Sequence, residues 1–312
     1  MAKTKQPERA HGGWQDRLAD WAIRALIWLA LRLPARTRLR LVSWIVRRLV
    51  SPLIGWHKRA LANLDHVWPD LDPAERQRIA DGAVDNLARA FIENYDVPEF
   101  LHRARGMTLS GEGLAALEQA RAQGRPVLFV TGHYGTPEGA RCALVSRGET
   151  IGGLIRPMSN PFFHDHYVQN MHDLSPPVFE QGRRGTMQLI KHLQSGGKAV
   201  LLFDLYDSAG TPIDFLGKPA PTLTSAADIA LRTDAVMIPF FGIRHADRFG
   251  FDAVFEAPIP HGDPLAMMTE ATRRLEARIK ADPTQWMWVH RRWKPKRQAK
   301  RQRKRAAAMM GP

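Results

Sequence analysis

Cysteine is almost absent from this 312-residue chain: Cys142 stands alone, so no internal disulfide can form and nothing argues for an oxidising compartment. Long apolar runs are missing too. Trp14 to Trp56 is apolar, basic and rich in tryptophan, yet its uninterrupted run, Ala25 to Leu31, is seven residues. A helix needs ~20 to cross a bilayer. No small-residue cleavage site follows that run, so a removable signal peptide is not expected. The chain has no G-x-S-x-G nucleophile elbow and no basic-aromatic RNA motif, and nucleic acid is not an expected partner.

Acidic residues are scarce in one place above all. Between Arg291 and Arg305 there are ten Lys or Arg residues and no acid, so ten of the net +14 charges sit there and +4 is left for the rest. The basic character belongs to a tail suited to anionic lipid headgroups, nucleic acid or an acidic protein. What is present in quantity is apolar: 44% of residues are hydrophobic, enough for one large α/β domain with helical additions, or two domains.

Trp14, Trp21 and Trp28 recur every seven residues and share one stripe of a helix, with Arg17, Asp20 and Arg24 on another face. A second stretch, Leu39 to Trp56, sets Arg40, Arg47 and Arg48 among Leu, Val, Ile and Trp. Residues 14–56 therefore predict amphipathic helices lying in the headgroup region of a membrane, behind a disordered stretch at 1–13. The competing readings are that these helices pack on their own domain or that one of them is a short, tilted membrane anchor.

Asp72-Pro73-Ala74-Glu75 opens a helix that runs to about Tyr95. After Gly111 the pattern becomes α/β: helices at 112–123, 137–147, 186–195 and 225–232 alternate with strands at 126–131, 150–155, 199–204 and 236–241. A strand at 251–256 and a helix at 264–281 follow. This alternation implies a mixed, largely parallel sheet flanked by helices. The domain would span 57–293, with a disordered basic tail at 294–312.

The first apolar strand ends at Thr131-Gly132-His133-Tyr134-Gly135-Thr136-Pro137-Glu138. Ligand sites in open α/β sheets gather beyond the carboxyl ends of strands, where His133 falls. Gly132 and Gly135 let the backbone turn sharply and approach a substrate. Glu138, in the first turn of the next helix, can orient the imidazole and stabilise the imidazolium formed when His133 takes a proton. Backbone N–H groups near Gly135 are candidate oxyanion donors. The weaker motifs read structurally: G-E-G-L-A-A at 111–116 lacks a dinucleotide context, His164, Asp165, His166 and His172 suit a polar helix better than a metal site, and Cys142 suits a small buried position.

Further motifs follow in order: Arg156-Pro157-Met158-Ser159-Asn160-Pro161, Gly182-Arg183-Arg184-Gly185, Leu201-Leu202-Phe203-Asp204, Ile213-Asp214-Phe215-Leu216-Gly217 and a C-terminal block from Pro283 to Trp293. From Asn63 to Trp293 the chain resembles the lipid A biosynthesis acyltransferases, the late lauroyl and myristoyl transferases of the H-x-x-x-x-D/E superfamily. The resemblance implies a catalytic dyad of His133 and Glu138, with Arg156, Asn160, Asp204 and Gly135 near the substrate. It also implies a fatty acyl thioester on acyl carrier protein as donor, a phosphorylated glycolipid as acceptor and no cofactor. The place would be the cytoplasmic face of the inner membrane, against an anionic surface. Two positions depart from the family's pattern, both bearing on acceptor choice: Pro137 stands where Trp commonly precedes the motif acid, and Leu205 where Gln commonly follows the aspartate.

Overall fold

The computed structural model describes residues 12–294; the first eleven residues and most of the basic tail lie outside it, so the disorder expected there is not addressed. Twelve α-helices, a π turn, a 3-10 turn at Pro283–Gln285 and nine strands follow one another among the described residues. The N-terminal third is helical: α1 (Trp14–Ala30), α2 (Ala35–Ile45), a π turn, α3 (Ser51–Ile54), α4 (Trp56–Val67), α5 (Pro73–Glu93) and α6 (Val97–Arg105). Asp72 caps α5, its carboxylate accepting the amides of Ala74 and Glu75, and Pro73 occupies the first turn, where no amide is needed.

The α/β part runs β1 (Leu109–Ser110), α7 (Gly113–Ala122), β2 (Val127–Thr131), α8 (Pro137–Val145), β3 (Ile151–Ile155), α9 (Pro161–Leu174) and β4 (Val178–Glu180). It continues with α10 (Arg183–Gln194), β5 (Lys198–Leu202), a hairpin of β6 (Thr211–Phe215) and β7 (Lys218–Thr222), α11 (Ser225–Thr233), β8 (Val236–Arg244), β9 (Phe251–Phe255) and α12 (Pro264–Ala281). Seven strands make one sheet in the order β1-β9-β8-β2-β5-β3-β4. All its pairings are parallel except β8 with β9. The expected mixed, largely parallel sheet flanked by helices is the fold.

Strand β2 lies at the centre, and all five of its residues are buried. Leu128 and Val130 point to a core shared with α10, α11 and α12, while Val127 and Phe129 point to one shared with α7 and α8. Alternation at a period of two thus supplies both helical layers from one strand. The N-terminal helices dock on this body: Ile27 of α1 and Leu39 of α2 pack with Ile92, Tyr95 and Phe163. The inner faces of 14–56 therefore pack on their own domain, as the first of the competing readings has it, while the outer faces stay exposed. Trp14, Trp21 and Trp28 are 71%, 61% and 56% exposed, and Leu53 is 87% exposed. No helix among the described residues is long and apolar enough to cross a membrane.

Candidate active site

Parallel pairing of β2 with β5 sets the site. Thr131 is in register with Leu202, so His133 and Asp204 each stand two residues beyond a paired position, on adjacent strand ends. They meet. The His133 ring nitrogen Nδ1 lies 2.7 Å from Asp204 Oδ1, and the His133 backbone N–H donates to Asp204 Oδ2 at 2.8 Å. Trp286 Nε1 donates to the same Oδ2 at 2.9 Å. Burial of Asp204 works against its charge. The charge of His133, the hydrogen bonds of its ring and backbone, and the Trp286 bond outweigh that, holding the carboxyl down at about 2. An ionised carboxylate only accepts, so Nδ1 carries a proton, and in the neutral ring the lone pair is on Nε2.

Backbone contacts hold His133 from both sides, since its carbonyl accepts the Met287 amide at 3.0 Å. Gly135 has φ +60, and a Cβ there would lie 1.9 Å from the Gly242 carbonyl oxygen, so only glycine fits. At Gly132 a Cβ would meet Leu275 at 2.6 Å and Asp204 at 3.0 Å. Asn86 of α5 ties the loop to the C-terminal block by donating to the carbonyls of Gly135 (2.6 Å) and Gln285 (2.9 Å). Asn86 is held in turn by Arg244, whose guanidinium also pairs with the fully buried Glu93 at 2.6 Å.

Glu138 does not make the expected contact with the imidazole. It lies one turn before Arg141 on α8, and Arg141 captures it at 3.1 Å. Arg141 is itself buried and donates to the carbonyls of Ile151 and Ser175, so the pair is fixed. The carboxylate that orients His133 is Asp204, because sheet register overrides the five-residue spacing. The oxyanion reading for Gly135 also needs correction. Its amide donates to the Gln285 carbonyl at 2.9 Å, and the amides of Tyr134 and Thr136 go to Gly132 and Gly242.

His133, Gly135, Glu138 and Arg156 line one cavity of about 560 Å³, within the range of about 300–1,000 Å³ usual for small-molecule sites. Leu154, Leu201, Leu223, Ala226 and Ile229 line it on the α10–α11 side of the sheet; Leu87, Ala90 and Phe91 line it from α5. Arg156 is exposed at this cavity and unpaired among the described residues. Asn160 stands apart: it caps α9 through Phe162 and Phe163, and its amide donates to the Asp16 carbonyl.

A model of the bacterial lipid A biosynthesis acyltransferase family matches residues 9–295. The chain belongs to that family. It is 24% identical to the lipid A biosynthesis lauroyltransferase of Escherichia coli, over 88% of this chain and 90% of the relative. It is 25% identical to a lipid A biosynthesis acyltransferase of Haemophilus influenzae, over 77% and 79%. A phosphatidylinositol mannoside acyltransferase of Mycobacterium tuberculosis is 22% identical over 68% and 69%.

Within this acyltransferase, Trp286 and Asn86 were not singled out by sequence reading. Trp286 lay inside the C-terminal block without a role, and an asparagine on an amphipathic helix carries no signal. His290, from the same block, accepts the Tyr206 amide at 3.0 Å through Nε2. Burial, with the nearby cations, pushes its pKa down to about 4 against the pull of Asp204, so it is neutral. Cys142 is fully buried, and that burial pushes its thiol well above the usual value, which makes it a packing residue.

Proposed function

We propose that this acyltransferase moves a fatty acyl group from a thioester on acyl carrier protein to a hydroxyl of a lipid A precursor, or of a hydroxyacyl chain on it. The reaction takes place at the cytoplasmic face of the inner membrane. The observation that carries the reading is His133, held by buried Asp204, at the wall of a cavity lined mostly by apolar side chains. His133 Nε2 takes the acceptor hydroxyl proton as the oxygen attacks the thioester carbonyl carbon. The tetrahedral intermediate then collapses, the C–S bond breaks and the imidazolium returns the proton to the leaving thiolate. Asp204 holds the productive tautomer and balances the imidazolium. Glu138, neutralised by Arg141, lines the cavity wall.

Charge on the carbonyl oxygen falls to Arg156 and to the positive end of α8, whose N-cap Thr136 makes no side-chain capping bond. The apolar walls take the acyl chain. The outer faces of α1 to α3 support seating on a bilayer without crossing it, since exposed tryptophans and leucines favour the interface. The mycobacterial relative favours a second reading in which the acceptor is another glycolipid. The test incubates the protein with acyl carrier protein thioesters and a panel of lipid acceptors, followed by mass spectrometry. Acylated lipid A precursor, lost in His133→Ala, supports the first reading; acylation only of another glycolipid supports the second. Release of free fatty acid alone would turn the site into a thioesterase.

A further inference from the structure

A second cleft, of about 300 Å³, opens between α1 and α9. Arg17, Asp20, Trp21 and Arg24 line it from α1, and Asp165 and His166 from α9. The spacing 17, 20, 21, 24 puts all four α1 residues on one face of the helix. The cleft is built rather than incidental. The Asp16 carbonyl accepts the Asn160 amide at 2.7 Å, and the Arg17 guanidinium lies 4.7 Å from the Phe162 ring centre.

Asp20 is the feature that asks for a ligand. It is 3% exposed, its Oδ2 is a long 3.7 Å from Arg24, and its Oδ1 is shielded from solvent with no donor among the described residues. A shielded carboxylate oxygen without a donor is costly, and an incoming N–H group relieves that cost. Around it the charges alternate: Arg17 and Arg24 are exposed cations, Asp20 and Asp165 anions. Burial, with Arg24 adding to it, pushes the His166 pKa down, so His166 adds no charge at neutral pH. A simple anion would satisfy the arginines and leave Asp20 bare, and a simple cation would do the reverse. A phosphate linked to a primary ammonium satisfies both. Trp21, 61% exposed at the edge of the cleft and on the stripe of Trp14 and Trp28, puts the opening at the surface that suits a bilayer interface.

We propose that this cleft binds the headgroup of an aminophospholipid of the bilayer, with the phosphate on Arg17 and Arg24 and the ammonium donating to Asp20. The site is separate from the catalytic cavity. A lipid held there locks α1 onto α9, the helix that follows the Arg156 loop and contributes Tyr167 to the cavity wall. It uses no step of acyl transfer, so its test is read without turnover.

The experiment titrates the full chain with short-chain dihexanoyl phospholipids below their aggregation concentration, by isothermal calorimetry. Ethanolamine, choline and glycerol headgroups are compared on identical chains, so the apolar contribution cancels. The ethanolamine lipid is expected to bind about tenfold more tightly than the choline lipid, the worth of one charge-assisted hydrogen bond. Asp20→Asn is expected to erase that preference, and Arg17→Gln with Arg24→Gln to weaken all three lipids. Equal binding of the three by the wild-type protein would overturn the proposal, as would an Asp20→Asn protein that keeps the preference. If Asp20→Asn fails to fold by circular dichroism, stepwise N-methylation of the ethanolamine headgroup decides on the wild-type chain. Affinity must fall as N–H donors are lost, and a flat response refutes the site.

Discussion

Asp204→Asn is nearly isosteric and separates orientation from bulk. Asp204 accepts two donors on Oδ2, the His133 amide and Trp286 Nε1, and faces the His133 ring with Oδ1. An asparagine has one oxygen and one NH₂. With two fixed donors on the Oδ2 side, its oxygen stays there and its NH₂ turns to the ring. Nδ1 must then accept, which moves the imidazole proton to Nε2 and removes the base from the cavity. The comparable tautomer error in a serine protease triad costs ~10⁴ in turnover, and general-base catalysis as a whole is worth ~10²–10⁴. Turnover should therefore fall by at least ~10², while secondary structure is kept; the melting transition should drop, because the ionised carboxylate's contribution to the fold is lost. The assay is initial-rate acyl transfer from a fatty acyl thioester to the acylated lipid, with circular dichroism as the folding control. Near wild-type turnover in a folded Asp204→Asn protein would refute the orientation argument, and with it the claim that sheet register supplies the partner of His133.

Four further outcomes follow from the same geometry. His133→Ala should lose ~10²–10⁴ of the rate, whereas Glu138→Gln, which disturbs a pair with Arg141 rather than the ring, should cost less than Asp204→Asn; the reverse order in matched kinetics would return the orienting role to Glu138. Arg156→Lys should lose nearly as much activity as Arg156→Ala, since an ammonium does not reproduce a planar two-pronged contact, and full activity in the lysine variant would reduce Arg156 to diffuse charge. Trp286→Phe removes one donor to Asp204, whose carboxyl sits at about 2 against an ordinary 3.8. Because the depressed value favours the fold above the ordinary pKa and that advantage fades as pH falls toward 2, the variant should unfold at higher pH in an acid titration followed by near-ultraviolet circular dichroism. Deleting residues 294–312 should weaken binding to anionic vesicles at low salt only, each Lys or Arg near the surface being worth about 1 kcal/mol; deleting 1–56 should remove the salt-resistant part, as read by co-sedimentation across a salt series.

Much of this protein was legible in its residues because the signals are local. The period-two burial of β2, the Asp72-Pro73 start of α5 and the 264–281 helix each depend on neighbours a few positions away, and the structure places them within a residue or two of the expected bounds. Strands β1 and β4 went unread because two or three residues carry too little pattern, and the β6–β7 hairpin because its strands, TPIDF and KPAPT, hold prolines and no clean apolar alternation. His133 was found because a histidine just past an apolar strand, between glycines, is a local arrangement too.

Its partner was a different matter. Glu138 is near His133 along the chain, but side chains on the first turn of a helix are claimed by residues three or four further on, and Arg141 is there. Asp204 is seventy-one residues away and arrives only because β5 pairs with β2 in the register Thr131 to Leu202. Likewise Trp286 and Asn86 gain their roles from the return of the C-terminal block across α5, and the bare oxygen of Asp20 exists only once α1 lies on α9. Sequence settles which segments are strands and helices and which end bears chemistry, because those follow from local propensity and patterning. The pairing of charges is decided by tertiary structure, because hydrogen bonds and ion pairs act over a few ångströms and only the sheet and the helix docking set those distances.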